Sequence, residues 1–347
     1  MEEKLNLKAK HYYSLLIYNF NQYRLIFGRL IFAKLINRRI RKNQIKCVHL
    51  GWQLTWRNEK TSPAFGAFML VLLFGRFLRE IGINLCIEFS QRNIYDKVLY
   101  DYQDELNLLI QKYFPTCARI HSPREGCVNL SQEVARLRLF SNSDRIPDHY
   151  LPSIIHNYSR EFNYSNIRIS RQELRKNLSF SQESLKIIWG HRLDSIQPFR
   201  NSGTLNHFLL LHSLLKISNR IEIVNIGSPE AIIRLRTKFQ KHAENCTLCE
   251  NSRISFEINP YVTNTERILS GSLYLSDSRN GLTDFALMSD VPSVLVSFKW
   301  RYHPNRSGQS YFWKTEHQYW LDSTNISDYI LISRLEELVR SILLGEK

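Results

Sequence analysis

Short apolar runs alternate with amphipathic stretches along most of the chain. The first half contains three apolar runs that predict strands and two longer segments that predict helices, at residues 45–51, 64–81, 84–89, 95–114 and 118–121. Strands that are separated by helices favour parallel pairing with right-handed crossovers. The first half therefore predicts a βαβαβ unit.

The second half repeats this alternation with clearer boundaries. Predicted strands cover residues 185–190, 221–226, 254–258, 273–275 and 293–298. Predicted helices cover residues 205–217, 229–242, 263–269, 282–288 and 328–344. Residues 300–320 contain many aromatic and basic side chains and predict a loop region. The chain is thus expected to be an α/β protein with two doubly wound, Rossmann-like domains facing a cleft.

This pattern divides the chain into four predicted parts. They are a basic amphipathic helical segment at 1–44, an N-terminal Rossmann-like domain at 45–165, a C-terminal Rossmann-like domain at 166–325 and a closing helix at 326–347. A length of 347 residues is consistent with two domains, at roughly 100 to 200 residues each.

Composition excludes several classes of protein. With 43% hydrophobic residues, the chain has enough apolar material for packed cores, which argues against a disordered or fibrous protein. The longest strongly apolar window, 64–75, is shorter than the ~20 residues that a membrane-spanning helix requires. No secretory signal pattern is visible at the N-terminus, so a cytoplasmic protein is expected. The six cysteines are scattered, and we expect them to be free thiols in a reducing compartment.

Positive charge is concentrated near the N-terminus. The chain has a net charge of +15, of which +9 falls within residues 1–46 beside many apolar and aromatic residues. A basic, apolar helix can lie on the anionic inner face of a membrane. The alternative is a helix that packs on the body of the protein with its cations in solvent, and the sequence leaves both open. Nucleic acid is the least favoured partner, because no binding motif accompanies the charge.

One stretch in the second half has the chemistry of a phosphate-binding turn. Residues 273–298 read LYLSDSRNGLTDFALMSDVPSVLVSF, in which a strand leads through a glycine turn into a helix. A glycine lets the backbone approach a ligand, and the free N–H groups of a helix start attract an anion. The candidate donor-binding residues here are Asp277, Ser278, Asn280, Gly281 and Thr283. Ser278 and Asn280 also suit the simpler role of helix cap.

This stretch resembles the donor-binding half of GT-B-fold glycosyltransferases, and most closely that of bacterial heptosyltransferase-like enzymes. The family pattern is Asp-Thr/Ser-Gly-x-x-His-x-Ala, followed by a small-residue turn and Pro. The matching residues are Asp277, Ser278, Gly281, Leu282, Asp284, Ala286 and Pro292. Two residues, Arg279 and Asn280, are extra here, and Asp284 stands where the family has His. The resemblance implies a catalytic role for Asp284. It also implies that residues 166–325 form a nucleotide-sugar domain and that residues 45–165 form an acceptor domain.

The resemblance extends weakly upstream. Residues at the ends of the first two strands of the second half stand where such enzymes border the donor diphosphate: His191, Arg192, Asp194, Arg200, Asn201 and Gly227. It implies that Arg192 or Arg200 neutralises the leaving diphosphate, so that neither a metal nor a cofactor other than the nucleotide-sugar co-substrate is expected. Arg192 and Asp194 also fit a simple surface ion pair.

An inverting transfer needs a base for the acceptor hydroxyl. In this fold the base usually comes from a loop of the N-terminal domain, which makes Glu59 the candidate. His49 lies within an apolar strand and suits a buried, hydrogen-bonded histidine better. A retaining transfer would not need this group.

Together these features predict a peripheral, metal-independent glycosyltransferase at the inner face of the membrane. It would move a sugar from a nucleotide-diphosphate donor to a lipid-linked or surface-polysaccharide acceptor. Two alternatives remain open. One is a nucleotide-sugar epimerase of the same fold, and the other is a non-catalytic basic module that binds a membrane or nucleic acid.

Overall fold

The structure is a computed structural model that describes most of the second half of the chain and parts of the first. The described residues are 30–42, 44–54, 65–91, 97–115, 119–120, 127–130, 151, 154–155, 158, 184–193, 206–243, 253–277, 280–297, 317–323 and 326–345.

Two compact units make up the chain. The first unit comprises Met1–Gln53, Phe74–Arg92 and Thr116–Asn163, and the second comprises Leu54–Leu73, Asn93–Pro115 and Tyr164–Lys347. Each contains a sheet and helices, so the expected α/β class with Rossmann-like units is confirmed. The domain boundaries expected from the sequence stay predictions.

The described residues of the first half form both strands and helices. In chain order they are helix α1 (30–41), strand β1 (Cys47–Leu54), helix α2 (Phe65–Glu80), strand β2 (Asn84–Gln91), helix α3 (Lys97–Tyr113), strand β3 (Arg119–Ile120) and strand β4 (Cys127–Asn129). The four strands form one sheet in the order β3-β2-β1-β4. β1 is parallel to β4, and β2 is parallel to β3. β4 was not expected from the sequence, because three residues are too few for a hydrophobic pattern.

Helix α1 packs on the first unit along one face. Phe32, Ala33, Ile36 and Ile40 are all at most 4% exposed, with the spacing of a single helical stripe. Asn37 on the same face donates from Nδ2 to the carbonyl of Ile154 at 2.8 Å. The opposite face exposes Lys34, Leu35, Arg38, Arg41 and Lys42. Within 30–41, then, the apolar face is buried and the basic face lies in solvent.

The cysteines correct one expectation. Cys47 and Cys127 occupy paired positions on neighbouring strands and form a disulfide. Cys86 of β2 is buried with its sulfur 3.6 Å from Cys47 Sγ. The expectation of free thiols is therefore wrong for Cys47 and Cys127. Because strand pairing brings together residues 80 positions apart, spacing along the chain gave no sign of it.

The second unit contains a six-stranded sheet. Besides α3 and the start of α2, its described elements are, in chain order, β5 (Leu185–His191), α4 (His207–Ile217), β6 (Ile221–Gly227), α5 (Pro229–Ala243), β7 (Ile254–Phe256), α6 (Tyr261–Ser270), β8 (Leu273–Ser276), α7 (Gly281–Met288), β9 (Ser293–Ser297), β10 (Gln318–Asp322) and α8 (Asp328–Leu344). The strand order is β10-β9-β8-β5-β6-β7, and every neighbouring pair is parallel.

This strand order is the one found in dinucleotide-binding folds. From β5 the chain builds outward through β6 and β7, then returns to the other side of β5 and builds outward through β8, β9 and β10. The order therefore reverses between β5 and β8. Strand β10 falls where the sequence predicted a loop, because its aromatic residues resemble those of the preceding segment.

A buried core fixes these strands beneath α4 and α8. Trp189 and Ile187 of β5 and Leu275 of β8 are fully buried together with Leu214 of α4 and Leu335 of α8. The closing helix thus belongs to the core of this unit. Among the described helices, none is both long enough and apolar enough to cross a membrane.

Candidate functional site

The carboxyl ends of β5 and β8 meet where the strand order of the second unit reverses. Open parallel sheets bind their ligands at this position, because the connections on its two sides lead away in opposite directions. Ser276 joins the two strands by donating from Oγ to the carbonyl of Gly190 at 2.9 Å. The residues that follow these strand ends are therefore the first candidates for a ligand site.

Two histidines and one aspartate converge at this edge. His191 is the last residue of β5, Asp277 directly follows β8, and His207 is the first residue of α4. His207 Nε2 lies 3.3 Å from Asp277 Oδ2. The side chain of Asp277 has no exposed surface, whereas that of His207 is 16% exposed. We call these three residues the His-His-Asp cluster.

Burial keeps His191 neutral near pH 7. It lowers the pKa of the imidazole to about 4, and the nearby His207 adds to this effect while Asp277 and Asn225 oppose it. His191 Nε2 lies 2.9 Å from Asn225 Oδ1. Asn225 donates from its own amide nitrogen to the carbonyl of Ser255 at 2.9 Å. A buried asparagine thus holds the ring of a buried histidine.

Aromatic packing fixes the two imidazoles further. The centroid of the Trp189 ring lies 4.9 Å from that of His191 and 5.0 Å from that of His207. The two imidazoles themselves meet edge to face at 5.3 Å. Such contacts leave little freedom for either ring to turn. The two imidazoles of the cluster are therefore held in place by Trp189 and by each other.

The turn between β8 and α7 is built around a helix cap. Asn280 Oδ1 accepts the backbone N–H of Thr283 at 3.0 Å, so the side chain of Asn280 caps α7. Thr283 Oγ1 lies 3.2 Å from the hydroxyl of Tyr274 in β8. Burial raises the pKa of Tyr274, which keeps this hydroxyl protonated and able to donate. These bonds hold the start of α7 on the sheet.

Gly281 is needed for contact between two helices. A Cβ on Gly281 would lie 2.5 Å from the backbone nitrogen of Gly66 in the first turn of α2. A Cβ on Gly66 would lie 2.3 Å from Asp284 Oδ2. The carboxylate of Asp284 thus lies at the start of α2, where a negative charge is stabilised by the helix dipole. The close approach expected of Gly281 is made to another helix.

Gly227 also allows two backbone segments, its own and that of His191, to approach each other closely. Its φ of +150° is unfavourable for other residues, and a Cβ there would lie 2.0 Å from the carbonyl oxygen of His191. The next residue, Ser228, accepts at Oγ from the backbone N–H of Leu193 at 3.2 Å. Gly227 and Ser228 hold the chain as it leaves β5 through Arg192, which is partly exposed.

The structure brings together some of the residues expected from the sequence. His191, Arg192, Gly227 and Asp277 lie at or next to the carboxyl ends of β5, β6 and β8, and Asn280, Gly281, Thr283 and Asp284 lie in the first turn of α7 or at its cap. Glu59, Asp194, Arg200, Asn201 and Ser278 lie outside the described residues. The roles given to all these residues stay predictions.

Sequence reasoning missed His207 and Asn225. His207 stands near the start of a predicted helix that follows β5, which is a position next to the carboxyl edge in this fold. This position at the start of the helix was the sign in the sequence from which His207 could have been predicted as a site residue. Asn225 lies inside an apolar strand, where a lone amide suggests a partner but does not identify it.

The arrangement can hold charged groups of either sign. The positive end of α4 and the positive charge of Arg192, which directly follows β5, both attract an anion such as a phosphate. Two imidazoles and a carboxylate offer nitrogen and oxygen lone pairs to a cation.

No protein-family model and no curated protein matches the chain in sequence. Solved structures match it in fold. The glycosyl transferase family 9 structure from Veillonella parvula DSM 2008 has a TM-score of 0.52 at 12% identity, covering 87% of this chain and 98% of that one. The E. coli ADP-heptose LPS heptosyltransferase II has a TM-score of 0.47 at 12% identity, covering 87% and 99%. E. coli heptosyltransferase WaaC with ADP has a TM-score of 0.43 at 12% identity, covering 86% and 100%.

The Veillonella structure is the one of these three that bears on the fold of this chain. The chain has a GT-B-like α/β fold, as that structure has, and the match covers 87% of this chain. The resemblance expected from residues 273–298 is therefore confirmed at the level of the fold.

Proposed function

We propose that this chain is a glycosyltransferase that moves a sugar from a nucleotide-diphosphate donor to an acceptor hydroxyl. The observation that carries the proposal is the position of the His-His-Asp cluster and Arg192. They lie at the carboxyl edge of a six-stranded parallel sheet, where its strand order reverses. That is where this type of sheet binds nucleotides.

In this proposal the donor diphosphate lies beside the ends of β5 and β8. The positive end of α4 begins at this edge with His207, which lies beside Asp277, and Arg192 follows β5 directly. Negative charge develops on the diphosphate as it leaves, and a fixed guanidinium stabilises that charge more in the transition state than in the ground state. Arg192 is therefore the residue on which leaving-group stabilisation is proposed to depend.

The transfer breaks the bond between the anomeric carbon and the oxygen of the terminal phosphate. The nucleoside diphosphate leaves with the bonding electrons, and the acceptor oxygen forms the new glycosidic bond. In an inverting reaction the acceptor proton passes to a base, for which Glu59 remains the proposed residue. Asp284 keeps its proposed catalytic role, although its carboxylate lies at the first turn of α2.

The acceptor is proposed to be membrane-linked or part of a surface polysaccharide. The support is the solvent face of α1, where Lys34, Arg38, Arg41 and Lys42 surround Leu35. Leu35 is 40% exposed among these cations. Basic residues attract anionic lipid headgroups and apolar ones insert between them, so this face suits a peripheral position at the inner face of a membrane.

Nucleotide binding tests the proposal. Thermal unfolding is measured with UDP, GDP, ADP, CMP and inorganic diphosphate, with and without chelator, since a ligand of the native state raises its stability. One nucleoside diphosphate is expected to raise Tm. Arg192→Ala is expected to weaken its binding about 10- to 100-fold, as expected for loss of a charged hydrogen bond of about 1.5–3 kcal/mol. Arg236→Ala, an exposed arginine on α5, is the matched control. A chain whose Tm responds to none of these compounds would contradict the proposal.

Product analysis separates the alternatives. A transferase releases nucleoside diphosphate from the matching nucleotide sugar in proportion to added acceptor. An epimerase changes the sugar without an acceptor, which NMR of the nucleotide sugar detects. A non-catalytic module that binds membranes or nucleic acid neither releases nucleoside diphosphate nor changes the sugar.

A further inference from the structure

The His-His-Asp cluster has the composition of a metal site. Its three residues come from β5, from the start of α4 and from the residue after β8, and one ligating atom of each lies within 4.8 Å of those of the other two. His207 Nε2 and Asp277 Oδ2 are 3.3 Å apart. Two ligands at about 2.1 Å from one ion are separated by roughly 3.0–3.4 Å. This pair therefore already has the spacing of two ligands of one cation.

Hydrogen bonding prepares His191 as a ligand. The Asn225 amide nitrogen donates to the carbonyl of Ser255, which only accepts, so Asn225 Oδ1 faces His191. His191 Nε2 must then carry the hydrogen, and in the neutral ring Nδ1 keeps its lone pair. A histidine that ligates a metal commonly donates its other N–H to an oxygen in this way. Asn225 thus acts toward His191 as the hydrogen-bond partner of a metal-ligating histidine does: it accepts the N–H of one ring nitrogen and leaves the other nitrogen to bind the metal.

We propose that His191, His207 and Asp277 bind one first-row divalent transition-metal cation, of the class of Zn²⁺, Co²⁺ or Mn²⁺. Two imidazoles and one carboxylate suit these ions, whereas Mg²⁺ prefers oxygen ligands alone. Three protein ligands leave further coordination positions for other oxygen atoms.

The location of the cluster in the fold indicates which ligand would fill the remaining coordination positions of the ion. The cluster lies at the edge where the donor diphosphate is proposed to bind, so a cation there would contact phosphate oxygens and offset their charge. This part rests on the proposed function. It revises the expectation, drawn from the sequence, of a transfer without a metal. Arg192 and the cation would then share the stabilisation of the leaving group.

Metal uptake by the full-length protein tests the site without any nucleotide. Protein treated with EDTA and dialysed is titrated with Co²⁺, followed by its visible absorption, and with Zn²⁺ by calorimetry. We expect one equivalent to bind at the cluster, and no comparable binding of Mg²⁺. His207→Ala and Asp277→Asn are each expected to weaken binding at least about 100-fold, since loss of a mere outer partner already costs 10- to 100-fold. His212→Ala, further along α4, is the matched control.

Two results would overturn the proposal. One is a wild-type protein that takes up neither Co²⁺ nor Zn²⁺. The other is uptake that His207→Ala and Asp277→Asn leave unchanged, which would place the ion elsewhere, such as at the cysteines. Circular dichroism of both variants verifies that they are folded.

The nucleotide experiment is kept separate. Nucleotide binding by a protein that takes up no metal contradicts the metal site and leaves the proposed function standing. Metal uptake by a protein that binds no nucleotide supports the site and contradicts the proposed function.

Discussion

Gly281 and Gly66 lie against each other at the starts of α7 and α2. A Cβ on Gly281 would come within 2.5 Å of the Gly66 nitrogen and within 2.7 Å of the Phe65 ring. Neither neighbour can yield easily, because one is backbone and the other is a buried ring that stacks on Tyr261. This contact ties the proposed donor turn to a helix whose first residues lie far earlier in the chain.

Substitution of Gly281 is expected to destabilise the protein. Gly281→Ala should lower the free energy of unfolding by about 1–3 kcal/mol, the usual cost of forcing extra atoms into a packed site. Urea unfolding measures this change. Gly82→Asn is the control, because nothing lies within 4 Å of that Cβ position and asparagine tolerates its φ of +76°. Equal stability of Gly281→Ala and wild type would contradict the described packing.

The buried His191 predicts a loss of stability in acid. Its pKa is lowered from 6.5 to about 4, so between these values the unfolded chain binds a proton that the folded protein excludes. Above pH 6.5 both states are neutral and the residue has no effect. As the pH falls to about 4, this residue is expected to remove about 3 kcal/mol of stability, at 1.36 kcal/mol per pKa unit.

Unfolding between pH 7 and pH 4.5, in the presence of chelator, checks this expectation. His191→Asn cannot take up a proton at this position, so its stability should fall less steeply with acid than that of wild type. His212→Asn should keep the wild-type slope. If His191→Asn and wild type lose stability in parallel, His191 does not have the lowered pKa.

The Cys47–Cys127 disulfide predicts sensitivity to reducing agents. It closes a sequence separation of 80 residues, and loss of a natural disulfide typically costs about 2–5 kcal/mol. Dithiothreitol is therefore expected to lower the Tm of wild type and of Cys86→Ser. Cys47→Ser lacks the sulfur that bonds to Cys127 and contacts Cys86, so dithiothreitol should leave its Tm unchanged. A wild-type Tm that dithiothreitol leaves unchanged would argue against the bond.

The exposed face of α1 predicts salt-dependent binding to anionic vesicles. Each basic side chain near such a surface contributes about 1 kcal/mol, so Lys34→Ser combined with Arg38→Ser should weaken binding roughly 30-fold. Cosedimentation with vesicles of phosphatidylglycerol and phosphatidylcholine measures this. Arg234→Ser combined with Lys238→Ser removes two exposed cations from α5 and is the control. Equal weakening by both pairs would show that net charge alone acts, and would contradict a specific role for α1.

The sequence by itself determined the local elements of the second unit. The apolar runs ending near His191 and Gly227 are long enough, and the intervening helices sufficiently amphipathic, for periodicity to define them. It also identified Asp277 and Gly281 as residues at the end of a strand and in a turn. The three-residue β4 and the aromatic β10 were missed, because neither has a distinctive pattern of its own.

Only the tertiary structure decided which side chains meet. The reversal of strand order between β5 and β8 places Asp277 beside His207, 70 residues away, and parallel pairing places Cys47 beside Cys127. The structure also shows that the close backbone approach, which the sequence predicted between Gly281 and a ligand, is made between Gly281 and Gly66. Hydrophobic periodicity reports which face of an element is buried. It does not report which element covers that face, because pairing depends on packing between segments that are distant in the chain.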